Sequence, residues 1–293
     1  MNTKEKYRSV KAMLYAAEHA MGKIKVRQAF PSAQVEFLDP FILLHHAEVK
    51  VSANTNHLHE GVGPHPHRGF SPVTFIFKGG VHHRDSRGNN SVIEAGGVQW
   101  MNAGMGIIHS ERPPHNIQEF GGTQEIIQMW VNTPAAFKKE QPAYFPRTRA
   151  EIPYSLEDSG KVRLNVVAGT YKDVKSSIPT HSEINAYTLE ITEGADFLIP
   201  IPRNHNAFIY LLSGELSVKG YGKMEDLHAA VFNNDGDGIH INAKTGARAL
   251  FMSGTPLNEP IAAQGPFVMN TEIEIMEAMR DYRMGKMGIL IEE

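Results

Sequence analysis

Pro64-His65-Pro66-His67-Arg68-Gly69-Phe70 and Gln99-Trp100-Met101-Asn102-Ala103-Gly104-Met105-Gly106-Ile107-Ile108-His109-Ser110-Glu111 are the two stretches whose reading decides the fold. Each carries two potential metal ligands one residue apart. On a β-strand, side chains at i and i+2 project from the same face, so His65 and His67 point together, as do His109 and Glu111. Two such strands facing each other inside a barrel bring three imidazoles and a carboxylate to one point, which makes a metal site. A lone histidine is more often satisfied by hydrogen bonds alone, but two same-face pairs in separate contexts favour ligation.

The remaining histidines lack that geometry. His57-Leu58-His59-Glu60 is a second His-x-His, but it lies in an Asn- and Gly-rich loop with no strand to hold both rings on one face. His45-His46 and His82-His83 are adjacent pairs whose side chains diverge on a strand. His115 follows Pro113-Pro114 and reads as a solvent-exposed loop residue. In the second half His205 stands alone, so no metal is expected there.

Outward from these stretches, short apolar runs such as Phe41-Ile42-Leu43-Leu44, Val73-Thr74-Phe75-Ile76-Phe77 and Ile126-Ile127-Gln128-Met129-Trp130-Val131 alternate with turn-forming Gly79-Gly80, Gly88-Asn89-Asn90 and Gly121-Gly122. That texture indicates an all-β sandwich or barrel. A second set of runs follows over 162–168, 186–191, 207–212, 215–218 and 248–252. Because 73–79 and 208–214 share one layout, an apolar strand ending at Gly, a duplicated barrel is expected. The Pro- and Lys-rich segment from Pro134 to Pro153 reads as the bridge.

Two helices flank the strands in this reading. Tyr7, Val10, Leu14, Ala17 and Met21 fall at helical spacing, with Gly22 as a stop. Thr271-Glu272-Ile273-Glu274 is a capping-box pattern, followed by Ile275, Met276, Met279 and Tyr282 as an apolar stripe and Gly285 as a stop. The expected organisation is a helical extension over 1–23, a metal-binding domain over 24–147, and a metal-free domain over 148–293 that includes a helix over 271–285.

Composition narrows the chemistry. With 29 Lys and Arg against 32 Asp and Glu, the net charge of −3 offers no general attraction to nucleic acid or anionic membrane. No cysteine is present, which excludes disulfides, thiolate-bound metal and a cysteine nucleophile, and leaves His, Asp and Glu as ligands. Charged residues interrupt the N-terminal segment too often for a signal peptide or membrane span, so a cytoplasmic protein is expected.

The ligand-bearing stretches resemble the two halves of a cupin metal motif in the form found in pirins. The resemblance extends to Leu38-Asp39-Pro40-Phe41, His83-Arg84-Asp85-Ser86, Val98-Gln99-Trp100-Met101, Gly265-Pro266-Phe267-Val268-Met269-Asn270-Thr271 and Asp281-Tyr282-Arg283, spanning most of the chain. It implies an all-β bicupin of two jelly-roll-type barrels in tandem, with a metal held in the first by His65, His67, His109 and Glu111. In relatives the metal is usually iron. Some members oxidise quercetin and similar flavonols with O2, and others act as transcription cofactors. One departure stands out: Ser71-Pro72 occupies the place of the usual Glu-Thr, which alters the contour of the pocket rather than the ligands.

Three imidazoles and a carboxylate suit one divalent ion, with Fe(II) expected first and Ni, Co, Mn or Zn compatible by donor type. Four protein ligands leave room for substrate and O2, the opposite of a closed structural zinc site. Glu111 is the expected base for a substrate hydroxyl, and Phe41, Phe70, Trp100 and Met101 are candidate apolar walls for a small aromatic substrate. The reading is a quercetin 2,3-dioxygenase-like oxidoreductase. Its alternative is a redox-sensitive interaction protein with a protein partner and little turnover. A third reading, a metal-binding sugar- or acid-processing cupin, predicts a polar pocket and, for a charged substrate, Arg68 or Arg84 pointing inward.

Overall fold

The computed structural model describes residues 6–22 and 24–292, apart from the side chain of His57. The chain opens with β1 (Val10–Tyr15), β2 (Ala17–Met21), β3 (Ile24–Phe30) and β4 (Phe41–Val51). There follow β5 (Val62–His67), β6 (Phe70–Lys78), β7 (Gly80–Asp85), β8 (Asn90–Glu94), β9 (Val98–Asn102), β10 (Ile107–Arg112), a short helix α1 (His115–Phe120), β11 (Gly122–Asn132) and β12 (Ala143–Arg147). The protein is all-β, built from tandem cupin domains.

By internal contacts the chain forms two compact units. One gathers the chain up to Ala17 with Gln28–Pro40 and Ile152–Leu257; the other gathers Glu18–Arg27, Phe41–Glu151 and the chain from Asn258 onward. The expected division at 147/148 is therefore too simple. By contacts, the C-terminal helix, α2 (Glu272–Arg283), groups with the unit that contains Phe41–Glu151. Its Ile275 and Ala278 bury against Phe267, Met269 and Met287, and Ile108 of β10 packs on that cluster. Thr271 caps α2 by accepting a hydrogen bond from the Glu274 N–H, as the capping box predicts.

The unit containing β4–β12 pairs a seven-stranded sheet, ordered β12-β9-β6-β11-β4-β3-β2, with a four-stranded sheet, β5-β10-β7-β8. Ile76 on one sheet and Val81 and Ile93 on the other meet in a common apolar cluster with Ile126. The second unit repeats the plan. Its larger sheet runs β1, His228–Phe232, Asn206–Ser213, Ala247–Gly254, Ile184–Ile191, Val162–Ala168, Tyr154–Glu157, and its smaller one Asp196–Pro200, Gly238–Ala243, Glu215–Val218, Gly222–Glu225.

The duplication read from the sequence is visible at two glycines. Gly79 joins β6 to β7 and Gly214 joins Asn206–Ser213 to Glu215–Val218, both at positive φ. A Cβ at either would strike a carbonyl oxygen, of Thr123 or of Gly246, so only glycine turns the chain there.

Two expectations are corrected. No N-terminal helix forms among the described residues: Val10–Tyr15 and Ala17–Met21 are strands. β1 adds to the edge of the second unit's large sheet, pairing antiparallel with His228–Phe232, and Arg8 beside it is fully buried. Its guanidinium donates to the carbonyls of Pro202, His205 and Gly236 and to Asn234 Oδ1. An open sheet edge thus overrides the weak helical spacing. The presumed bridge also contains β12, which pairs with β9. No helix among the described residues is long and apolar enough to cross a membrane.

Candidate metal centre

β5 and β10 are antiparallel neighbours in the small sheet, with His65 opposite His109 and His67 opposite Ile107. The strand phase turns His65, His67 and His109 inward, and one ring nitrogen from each lies within 4.8 Å of the others. His65 Nδ1 faces the Gly63 carbonyl at 2.8 Å and His67 Nδ1 the Pro266 carbonyl at 3.3 Å. A carbonyl only accepts, so each Nδ1 carries the proton and each Nε2 a lone pair. These two Nε2 atoms stand 3.0 Å apart, and His109 Nε2 is buried without a hydrogen-bond partner.

Facing lone pairs and an orphaned buried nitrogen are what a cation would satisfy. Two ligands at about 2.1 Å from one ion and at right angles would be roughly 3.0 Å apart, so the residues fit. Burial, reinforced by the neighbouring imidazoles, holds His67 and His109 well below the usual histidine pKa, in the neutral form that binds metal.

Glu111 shares the inward face but is not in the three-imidazole group. A register shift in the β5–β10 pairing falls between His109 and Glu111. The Glu111 carboxylate accepts from Thr74 Oγ1 at 2.6 Å and Gln128 Nε2 at 2.7 Å, and Gln128 Oε1 accepts from Trp130 Nε1 at 3.2 Å.

The C-terminal tail braces this motif from behind. The Val268 N–H donates to the Arg68 carbonyl, while Arg68 reaches the Met105 carbonyl and pairs with Asp281 at 3.1 Å. Buried Lys138 donates to the carbonyls of Gly69 and Val268 and to Asn132 Oδ1. Gly69 has φ +86, and a Cβ there would overlap the Val268 carbonyl. The His-Pro-His-Arg-Gly run is therefore closed on a strand arriving from the far end of the sequence.

His65 and His67 open on a cavity of about 470 Å³, within the range of small-molecule sites. His65, His67, Glu111, Gln124, Gln128 and His45 give it polar points, among apolar side chains such as Val26, Val49, Val81, Ile126 and Trp130. Burial, with His19 nearby, lowers His45 to about 4, so it is neutral.

The four expected walls do not line this cavity. Phe41, Trp100 and Met101 are core, and Phe70 sits behind the site, its ring 5.1 Å from that of His67 and 4.3 Å from that of Trp130. Trp130 is the aromatic wall. Alternation along β11 could have found it, since Gln124, Ile126, Gln128 and Trp130 share one face. Neither Arg68 nor Arg84 lines the cavity, and none of its described lining residues is Lys or Arg.

Sequence reasoning also missed His83. The pair does diverge: His82 bonds Asn90, while His83 is buried with its Nδ1 3.5 Å from His109 Nδ1. His-x-Asp at 83–85 is itself a same-face pair, and that was the available signal.

Residues 23–131 match the pirin family model and 186–288 that of the pirin C-terminal cupin domain. The chain is 33% identical over 285 residues to a pirin-like protein of Solanum lycopersicum, covering 95% of this chain and 92% of that one. It belongs to the pirin family. Among solved pirin-fold structures, a quercetin 2,3-dioxygenase from Acinetobacter baumannii superposes with a TM-score of 0.91 at 34% identity, over 98% of this chain and all of that one (100%). The bacterial pirin YhhW of Escherichia coli, crystallised with nickel(II), shares the fold at a TM-score of 0.65 and 19% identity, over 84% of this chain and 98% of that one.

Proposed function

We propose that this pirin is a metal-dependent dioxygenase of flavonol-type substrates, with the ion held by His65, His67 and His109 and with Glu111 as fourth donor and base. The observation that carries the reading is the convergence of three imidazoles, two of which, His65 and His67, line a largely apolar cavity, while the third, His109, has a buried Nε2 without a hydrogen-bond partner. The Acinetobacter baumannii dioxygenase, alike over its full length, supports the substrate class. Fe(II) is the proposed ion; imidazole and carboxylate donors accept Ni(II) as well, the ion in the Escherichia coli pirin.

When bound, the ion supplies a Lewis acid that acidifies a substrate hydroxyl and a redox-capable centre for O2. The chain supplies the rest. Trp130, Ile126, Val49 and Val81 exclude water around a planar ring system and favour a neutral aromatic over a carboxylate-bearing substrate. Thr74 and Gln128 orient the Glu111 carboxylate, which takes the flavonol 3-hydroxyl proton at one oxygen. Trp130, donating to Gln128, fixes the amide that does the orienting.

Metal analysis of the purified protein beside His65→Ala and Glu111→Ala tests the reading, with O2 uptake measured on quercetin after Fe(II) loading. Turnover that disappears with the metal is expected. A full complement of metal without O2 uptake would move the function to another substrate or to a binding role, and no metal affinity would remove the site itself.

A further inference from the structure

At His109 Nδ1 begins a hydrogen-bonded series that the reaction as proposed does not use. Asp85 Oδ2 lies 3.0 Å from His83 Nε2, and His83 Nδ1 lies 3.5 Å from His109 Nδ1. Asp85 also accepts from the Arg87 and Asn89 N–H groups and from Asn89 Nδ2, a set of donors that suits a carboxylate acting only as acceptor. The His83 ring is fixed in plane by stacking on Tyr144, 4.0 Å between centroids and 9° between planes, and the Tyr144 hydroxyl meets Ser91 Oγ at 2.8 Å. All these groups are on β7, β8, β10, β12 and the turn after β7.

One order of donors and acceptors along this series leaves His109 Nε2 free for a metal ion. Asp85 accepts the hydrogen bond of His83 Nε2–H, which leaves Nδ1 as the lone-pair side of the His83 ring. That lone pair receives His109 Nδ1–H, which leaves His109 Nε2 bare, and this is the atom found buried without a hydrogen-bond partner. The geometry points to His83, backed by Asp85, as a positioning residue that sets the tautomer and orientation of His109 and raises its basicity toward a metal ion. His65 and His67 use single carbonyls for the same purpose. Only His109 has an anion behind it, one imidazole removed. Partners of this kind are typically worth about 10–100-fold in metal affinity.

The inference rests on the metal reading above, and its test separates the two. Co(II) is titrated into the purified parent, His83→Phe, His83→Asn and Asp85→Asn, following visible absorption and the metal-dependent rise in thermal midpoint. His83→Phe keeps a ring against Tyr144 and removes the acceptor; His83→Asn loses the ring but places Oδ1 where Nδ1 was. Expected are a loss of about 10–100-fold in Co(II) affinity with altered ligand-field bands for His83→Phe, and recovery to within a few-fold for His83→Asn. Asp85→Asn reverses the polarity at one atom, forces the opposite tautomer along the series, and should weaken Co(II) as His83→Phe does without touching His109. Parental affinity and spectrum in His83→Phe would overturn the proposal, as would His83→Asn failing like His83→Phe, which would mean that the ring only packs. Should His83→Phe not fold, parental binding by Asp85→Asn overturns it equally. A parent that binds no Co(II) would instead remove the metal site itself.

Discussion

The two cupin units share a plan and differ in what fills it. In the unit with the candidate centre, the small sheet points His65 and His67, His109 and Glu111, and His83 and Asp85 into the interior, and a cavity remains. In the other, the corresponding strands offer Phe197 and Ile199, Ile239 and Ile241, and Leu216 and Val218, packed with Tyr187, Phe251 and their neighbours into a continuous apolar core. The histidine on the strand equivalent to β10, His240, has the opposite phase and pairs outside with Asp196. One strand architecture therefore supports either a histidine-lined interior with a cavity or a filled one. Chemistry follows from the side chains at inward positions rather than from the topology.

Truncations should expose this difference most strongly. Phe251→Ala in the filled unit opens a void among fully buried neighbours and is expected to cost about 3–5 kcal/mol. Ile126→Ala, beside an existing cavity, should cost about 1 kcal/mol, because little packing is lost where a void already stands. Chemical denaturation of both variants, with metal content measured alongside, checks the contrast; equal costs would mean that the cavity is closed in solution.

A pH series sharpens it next. His45 in the cavity titrates at about 4 when folded, against an ordinary 6.5. The unfolded chain therefore takes up the proton first as pH falls. Stability is full above about 6.5 and declines down to about 4, by at most about 3.4 kcal/mol, since each pKa unit is worth about 1.36 kcal/mol. His45→Gln should flatten this decline in thermal melts between pH 7 and 4, whereas an unchanged slope would place the acid sensitivity elsewhere.

The smallest expected effect is at the cap of α2. Thr271→Ala removes the acceptor for the Glu274 N–H and should destabilise by about 1 kcal/mol, with no change in metal affinity. A loss of metal with the cap would tie the helix to the site more closely than its contacts do.

What was legible in the sequence follows the strength of the local signal. The i, i+2 spacing of His65/His67 and His109/Glu111 survives any change of strand partner, so the convergence of the imidazoles could be read directly. Strand period and glycine punctuation likewise carried the duplicated β plan. The N-terminal segment misled because Val10, Leu14 and Met21 satisfy a helical spacing, while the deciding fact was a free sheet edge more than two hundred residues away, His228–Phe232. Phe41, Phe70, Trp100 and Met101 look like pocket walls by residue type, but hydrophobicity alone does not tell cavity-facing from core-facing positions. Glu111 was placed on the right face, while the register shift beside it and the Thr74 and Gln128 donors are tertiary facts.

The carbonyl that fixes the tautomer of His67 belongs to Pro266, 199 residues later in the chain. At ribosomal speeds of about 5–20 residues per second, that is a delay of roughly 10–40 s between synthesis of the ligand and arrival of its support. Once His109 has followed, 42 residues after His67, the nascent chain carries all three histidines without that carbonyl for the rest of the interval. Arrival of the tail is thus what supplies this tautomer-fixing contact, so the histidines exist well before the arrangement that would hold an ion is complete.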